Sequence, residues 1–430
     1  MKPACKGAEI VFLLALIAAS CSCAKGINNP PGWPVIIGGP NAFCNPSQIA
    51  ADSKGNVYIS GVWNGSVDFD PGPGKDIGFS REISSFIVKF DREAKLEWCK
   101  RFPQYPRDLV FKGMCCDSSG TLYACGTRSA PSGDLAILMA YDSDGELKWQ
   151  QEWVDDSDTG DGCQANAITV DSSDNLYIGG NFNGDVHFGP ENEGLSVTTS
   201  IRGHYAYTCK LDNNGEIVWM RNWQGAWKED VSSIAIAQDG SIYVTGICDI
   251  SDDLIFDTGE KFKCPPPAGL VGWYLLKLEA DGQVKWIRFW RSARNDWGCT
   301  SRKVIVSGNS QVFVAGDFRD EMRTAFGDTI QSYKPNGGKN VFLFSLDSSG
   351  SLLWGHTWEG KSWDYAKTLF IDPSGQIRCG GTFKGSVDFD PGPGERVVET
   401  ISQGEQEPIS SLSTKGDQIL EVRPIPLRKN

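Results

Sequence analysis

The sequence predicts an all-β chain built from repeated four-stranded antiparallel sheets, and three observations predict it. A ten-residue stretch, GSVDFDPGPG, stands at Gly65–Gly74 and again, letter for letter, at Gly385–Gly394, 320 residues further on. Trp98, Trp149, Trp219, Trp286 and Trp354 recur at intervals of 51, 70, 67 and 68 residues. Finally, Gly (49), Trp (15) and Phe (21) are abundant beside many Asp, Asn and Ser, the make-up of short strands joined by tight turns. Self-similarity at a near-constant interval marks a repeat architecture, in which one array of sheets uses the whole length.

The first unit defines the pattern. Gln48–Ala51 is followed by an Asp52–Asn56 turn, a second strand Val57–Gly61, the GSVDFDPGPG hairpin, a third strand Phe86–Phe90, a turn at Asp91–Ala94 and a fourth strand Leu96–Phe102. Asp, Asn, Gly and Ser suit such turns through side-chain hydrogen bonds or positive φ. The second strand recurs at Tyr123–Gly126, Tyr177–Gly180, Tyr243–Gly246, Phe313–Gly316 and Arg378–Gly381. The third and fourth recur over Leu138–Trp149, Cys209–Trp219, Leu275–Trp286 and Phe344–Trp354. That makes six sheets, with seven the alternative count.

A second aromatic follows each Trp by four: Phe102, Trp153, Trp223, Trp290 and Trp358. Even spacing in a strand places both rings on one face, where inter-sheet packing is expected rather than a ligand-stacking ladder. Trp33 precedes Asp52 by the same 19 residues that separate Trp98 from Asp117, so Gly32–Gly38 reads as an orphan fourth strand. The last unit lacks its Trp, and its would-be fourth strand is Gln418–Val422. Because an open sheet edge is a liability, the Trp33 strand is expected to join the last sheet and close a ring.

The N-terminus reads as a targeting segment. Lys2 and Lys6 precede an apolar run, Ile10–Ala19, that is too short to span a bilayer. Ala18-Ala19-Ser20-Cys21 resembles a bacterial lipobox, which implies a lipid on Cys21; it departs from that pattern in having Ala18 where Leu is usual. Cleavage after Ala24 without lipidation is the competing reading. The expected organisation is a signal peptide at 1–24, a linker at 25–32 and one repeat domain at 33–430. Of fourteen cysteines, eleven remain beyond the signal region; in an exported chain one to three disulfides plus buried thiols are expected.

The Asp-x-x-Gly-Asn-x-Tyr-x-x-Gly core at Asp52–Gly61 has relatives at Asp117–Gly126 and Asp171–Gly180. With Lys210–Trp219 and the FDPGPG tails at Phe69–Gly74 and Phe389–Gly394, it resembles the bacterial β-propeller (SBBP-type) repeat family over roughly residues 33–422. The resemblance implies a single propeller of about six four-stranded blades and an extracytoplasmic setting. It implies no reaction and no catalytic residue. Sialidase Asp-boxes do not fit, because Ser345–Gly350 carries an extra residue before the Gly.

Few stretches carry chemistry. Asp68 and Asp70, repeated as Asp388 and Asp390, alternate along a strand beside a Pro-Gly turn and could collect a Ca²⁺ ion. The competing reading is turn capping. Cys44, Cys163 and Cys299 each stand eight residues before their unit's turn position, so they share one structural phase. They are expected as rim-packing residues, or as partners for Cys in adjacent blades, rather than a metal site. Asp155, Asp156, Asp158 and Asp161 form an acidic loop, solvated by default. Three His exclude a His-rich zinc site, and a net charge of −13 argues against nucleic acid or an anionic membrane surface as partner.

The expected role is an exported binding or scaffold module for protein or glycan, in the bacterial periplasm or outer membrane or at the cell surface. It would be monomeric and touch membrane only through its lipid, with free secretion as the alternative. The unequal loops Asp249–Leu270 and Gly189–Arg202 would make contact. The alternative is a propeller lyase or glycosidase using carboxylates at a channel mouth.

Overall fold

The structure, a computed structural model, describes residues 35–399 apart from 36, 40–41, 104–107, 131–132, 156–161, 190–193, 199–202, 226–227, 250–252, 264–271, 293–298, 327–328, 336–337, 359, 361–362, 372–376, 384–385 and 389–396. Cys21, Trp33, Cys264, Asp390 and Gln418–Val422 lie outside these. Every described element is a strand, and the fold is of the β-propeller type.

The first sheet comprises β1 (Phe43–Ala51), β2 (Val57–Asp68), β3 (Ile77–Phe90) and β4 (Leu96–Phe102), hydrogen-bonded in chain order. The second comprises β5 (Leu109–Cys116), β6 (Leu122–Ala130), β7 (Gly133–Tyr141) and β8 (Leu147–Asp155). The third has β9 (Gly162–Val170) and β10 (Leu176–Asn183), a hairpin of β11 (Val186–Phe188) and β12 (Leu195–Val197), then β13 (Tyr205–Leu211) and β14 (Ile217–Gln224). The fourth has β15 (Asp230–Ile236) and β16 (Ile242–Cys248), the hairpin β17 (Leu254–Phe256) and β18 (Lys261–Phe262), then β19 (Gly272–Leu278) and β20 (Val284–Ser292). The fifth has β21 (Cys299–Val306) and β22 (Val312–Phe318), the hairpin β23 (Met322–Phe326) and β24 (Thr329–Tyr333), then β25 (Asn340–Leu346) and β26 (Leu352–Trp358). The sixth shows β27 (Tyr365–Ile371) and β28 (Ile377–Thr382) with the hairpin β29 (Ser386–Asp388) and β30 (Val397–Glu399). Among the described residues five repeats therefore show all four strands, and the sixth shows its first two with its hairpin. The chain divides into two compact units, one of Met1–Leu176, Phe182–Thr199 and Leu211–Ile217, the other of the remaining residues.

The turns explain the Asp-x-x-Gly periodicity. Asp52 Oδ1 accepts the backbone N–H groups of Lys54 (2.9 Å) and Asn56 (3.0 Å), and Asp117 and Asp171 repeat this double cap in the second and third sheets. Asp91, Asp142, Asp212 and Asp347 do the same between third and fourth strands. The fourth turn residue has positive φ, as at Gly55 (+85°) and Gly282 (+82°), because a type I turn closes into a hairpin through one left-handed residue. Ser310 adopts the same conformation at +62° without being glycine.

The aromatic signature ties each of the first five sheets to itself and each of the first four to the next. Within a sheet, the second-strand ring meets the fourth-strand Trp: Tyr58–Trp98 5.8 Å, Tyr123–Trp149 5.9 Å, Tyr177–Trp219 6.1 Å, Tyr243–Trp286 6.0 Å and Phe313–Trp354 6.0 Å. The Lys of the third strand caps the same ring, with Lys89 5.6 Å from Tyr58, Lys210 5.3 Å from Tyr177 and Lys277 5.5 Å from Tyr243. The indole N–H then donates to the third-to-fourth-strand turn of the following sheet. Trp98 reaches Ser143 O (3.2 Å), Trp149 reaches Asn213 O (3.4 Å), Trp219 reaches Ala280 O (3.1 Å) and Trp286 reaches Ser348 O (3.3 Å). A Cβ built on Gly145, Gly282 or Gly350 would lie 3.0 Å from the neighbour's indole, so the turn must be glycine for contact as well as for φ. The expected inter-sheet role of the aromatic pairs is met: Trp153, Trp223, Trp290 and Trp358 are all buried.

At the opposite ends of the strands a second coupling appears that sequence spacing does not show. The hairpin between second and third strands of one sheet pairs with the fourth strand of the sheet before it. His187 pairs with Val154, Phe256 with Trp223, and Thr324 with Trp290, while Val387 bridges Gly360. In the first sheet β2 and β3 themselves extend into this hairpin, beyond the predicted strands, and Asp68 bridges Gly38. Gly38 thus stands where a preceding sheet's fourth strand stands elsewhere, in keeping with the orphan-strand reading of Gly32–Gly38. Trp33 and the closing partner lie outside the described residues.

Among the described residues no disulfide joins two cysteines, and Cys44, Cys163, Cys209, Cys248, Cys299 and Cys379 are buried in the sheets. Burial pushes the Cys44 and Cys379 thiols up to about 12, so they serve as small apolar groups.

Gly282→Ala forces a side chain into the left-handed region and against Trp219, and is expected to lose about 1–3 kcal/mol of stability. Ser310→Gly should gain about 1 kcal/mol by relieving the same strain. Urea unfolding midpoints check both; a shift of the same sign in the two variants would contradict this account of the turns.

Candidate functional site

The aspartates of the duplicated stretch act as turn caps. Asp68, the last residue of β2, accepts the backbone N–H groups of Asp70 (3.1 Å) and Asp76 (2.9 Å) through Oδ1. Asp70 lies beyond the strand, in the turn, and accepts Gly72 N–H at 2.8 Å; the two carboxylates do not alternate on one strand as expected. A Cβ on Gly74 would stand 2.0 Å from Asp70 Oδ2, so glycine leaves room for that carboxylate. Between them Phe69 is buried against Trp63 (5.3 Å) and Phe86 (5.2 Å). Phe188 and Phe256 fill the same position in the third and fourth sheets, against Trp153 (5.2 Å) and Trp223 (5.3 Å). The phenylalanine is the recurring part; where the aspartates stand, the third sheet carries His187 and Gly189. In the second copy Asp388 ends β29 and Asp390 lies outside the described residues.

Cys44, Cys163 and Cys299 sit at or next to the start of the first strand of their sheets, each buried. The same phase is held by Leu109, Glu229 and Asp364 in the other three sheets, and all are buried. A socket that takes Cys or Leu elsewhere therefore takes a carboxylate twice. Among the described residues no group of three or more His, Cys, Asp or Glu side chains is placed to hold a metal ion.

Glu229 is 1% exposed. Its Oε1 accepts Asp249 N–H at 3.3 Å, and Gly225 also donates a backbone N–H to it. Burial pushes this carboxyl up to about 8; the two amide donors oppose the rise and the nearby Asp249 adds to it. Asp317, at the paired end of β22, is fully buried, yet both its oxygens are engaged. Arg302 Nε lies 2.6 Å from Oδ2 and Lys339 Nζ 2.9 Å from Oδ1. Truncating either cation would leave one oxygen of the buried Asp317 carboxylate without its partner, which is costly.

The Arg302 position is created by backbone. The register of β21 against β22 shifts between Ser301 and Lys303, a bulge that re-aims the residue between them. Equivalent shifts flank Ser47, Lys112, Ser232 and Lys367 in other sheets. Lys112 gives its ammonium to Gln164 and Asn166, both at 2.8 Å. Arg302 and Lys367 instead converge with Lys339 on the ring of Tyr365, at 5.7, 5.6 and 5.2 Å from its centroid. Trp363, 50% exposed, stands 6.4 Å from the Tyr365 ring, and Lys339 lies 6.0 Å from the indole. Asp364 anchors this turn by donating its N–H to Lys339 O at 2.8 Å. Burial raises the Tyr365 phenol, Asp317 reinforces that, and Arg302 opposes it.

Three cations, two aromatic rings and one buried carboxylate thus share an exposed rim at the fifth and sixth sheets. Sequence reasoning missed this cluster because its members are spread from Arg302 to Lys367. It also missed Glu229 and Asp364, although their phase relative to Cys44, Cys163 and Cys299 was a usable signal. Of the acidic loop, Asp156, Asp158 and Asp161 lie outside the described residues.

No family model matches the chain. An uncharacterised WD repeat-containing protein of Acanthamoeba polyphaga mimivirus is 21% identical over 214 residues, which are 44% of this chain and 15% of that protein. The chain therefore spans far less than the length of this relative. Among solved structures, a protein of unknown function from Bacteroides caccae aligns over 63% of this chain and 89% of its own, at 9% identity and a TM-score of 0.32. A putative gluconolactonase aligns over 69% and 80%, at 13% identity and a TM-score of 0.31. None of these likenesses assigns a chemistry to this chain.

Glu229 gives a pH signature. Its folded pKa lies above the unfolded value, so its contribution to stability is present below about pH 4.5 and is lost as pH rises towards about 8. Glu229→Gln should flatten that loss, which is on the order of a few kcal/mol, in unfolding midpoints measured from pH 4 to 9. An unchanged pH slope in the variant would remove Glu229 as its source.

Proposed function

We propose that the chain is an exported β-propeller that works as a binding or scaffold module for protein or glycan, held at the bacterial surface or in the periplasm by a lipid on Cys21. It acts as a monomer, and the lipid is its contact with membrane. The observation that supports this reading is the Trp363–Tyr365 face with its three converging cations. An exposed indole beside a part-buried phenol and an exposed ammonium, Lys367, are the parts of a recognition surface, not of a fold's interior. A rigid array of sheets that presents hairpins and turns on one rim suits display of such a surface.

A second reading, an extracytoplasmic lyase or glycosidase, draws on Glu229. A buried carboxylic acid with a raised pKa is a candidate proton donor. Its near-complete burial and its use of backbone amides as partners favour a structural part, and the binding reading is the conclusion.

Trp363→Ala should remove binding of the full chain on a glycan array, or capture of a partner protein from an envelope extract, by tenfold or more. Because the side chain is half exposed, the unfolding midpoint should move by no more than about 0.5 kcal/mol. Binding of both kinds that ignores the substitution would refute this surface as the recognition site.

A further inference from the structure

The Tyr365 cluster holds more donors than the protein uses. Arg302 commits Nε to Asp317, and its two terminal nitrogens make no hydrogen bond with any described residue. Lys367 is exposed, and its ammonium meets only the Tyr365 ring among the described residues. The Tyr365 hydroxyl and the Trp363 indole N–H likewise have no hydrogen-bond partner there. The acids beside them, Asp317 and Asp364, are buried at 0% and 1% exposure, so neither meets solvent over the cluster. In a chain with a net charge of −13, this is a local reversal of sign.

We infer that this face binds a carboxylate-bearing sugar, an inference that rests on the binding-module reading above. The free edge of a guanidinium presents two parallel N–H groups, a fork that matches the two oxygens of a carboxylate. Its Nε arm is fixed on the buried Asp317, so the fork is held before a ligand arrives and little side-chain entropy is lost on binding. Lys367 adds a second charge on the solvent side. Trp363 and Tyr365 supply flat apolar faces with polar edges, suited to a pyranose that is apolar on one face and hydroxylated at its rim. A neutral sugar would leave the Arg302 fork and Lys367 unmatched, and a bare inorganic anion would leave the rings unused.

The test is calorimetric titration of the full chain with galacturonate, glucuronate and sialate oligosaccharides, each as the free acid and as its methyl ester. Inorganic phosphate serves as competitor. At least one free acid should bind, its ester at least tenfold more weakly, with the difference shrinking as salt is raised. Lys367→Glu, on an exposed side chain, should weaken the acid at least tenfold and leave the ester unchanged. Trp363→Ala should weaken both, with circular dichroism reporting an intact fold. If ester and acid bind equally and both depend on Trp363, the charge is not read; this inference falls while the glycan-binding reading stands. Displacement of the acid by phosphate at equal concentration would overturn the sugar assignment. Absence of binding by every acid and ester would overturn both the inference and the glycan arm of the proposed function.

Discussion

The structure depends on one contact repeated along the chain: the indole N–H of a fourth-strand Trp donating to a turn carbonyl of the following sheet. Trp98, Trp149, Trp219 and Trp286 all make it, over lengths of 3.1–3.4 Å. The contact constrains four residues at once. In three of the four acceptor turns an Asp side chain, of Asp142, Asp212 or Asp347, caps two backbone N–H groups and so holds the turn. The residue under the indole must be glycine, and the Tyr and Lys behind the indole fix its tilt. What reads as a motif of Asp, Gly, Tyr, Lys and Trp is one inter-sheet joint seen in linear order.

At the other end of the strands, the hairpins bring an apolar plug to the preceding sheet's outer strand. Phe188 and Phe256 fill it against the buried Trp153 and Trp223, while Phe69 packs against Trp63 and Phe86 of its own sheet. This changes the meaning of the duplicated GSVDFDPGPG. Its aspartates drew notice as paired carboxylates, but they hold the turn that seats the phenylalanine. Each burial of such a ring stabilises by roughly 1.5–3 kcal/mol.

Much of the fold was legible because it is periodic: the Trp intervals, the alternating second strands and the turn residues all survive as letters at fixed distance. The pairing of each hairpin with the preceding sheet was not, since residues such as Val154 and His187 meet across sheets and carry no shared letter. The candidate site was still less legible. Arg302 is aimed by a bulge, Lys339 comes from the approach to a third strand, and Trp363 from the turn into a first strand. Only geometry joins them. Glu229 and Asp364 were recoverable in principle, as carboxylates in a phase otherwise filled by Cys or Leu, but a phase says nothing of burial. Burial in such a socket disfavours the ionised form of a carboxyl group, as the raised pKa of Glu229 shows.

The hairpins between second and third strands bear on how such a chain can diverge. The link between second and third strands varies from the two residues 131–132 in the second sheet to long excursions carrying β11–β12 or β23–β24, while the strands on either side keep their register. In the third and fourth sheets the excursion is moored to the preceding sheet by a few backbone pairs and one buried phenylalanine. Sequence beyond the mooring can therefore lengthen, shorten or change charge with little effect on the sheets beneath it. Tolerance to insertion is concentrated on the rim that carries the candidate site, and a lineage could exchange one ligand for another there without refolding its framework.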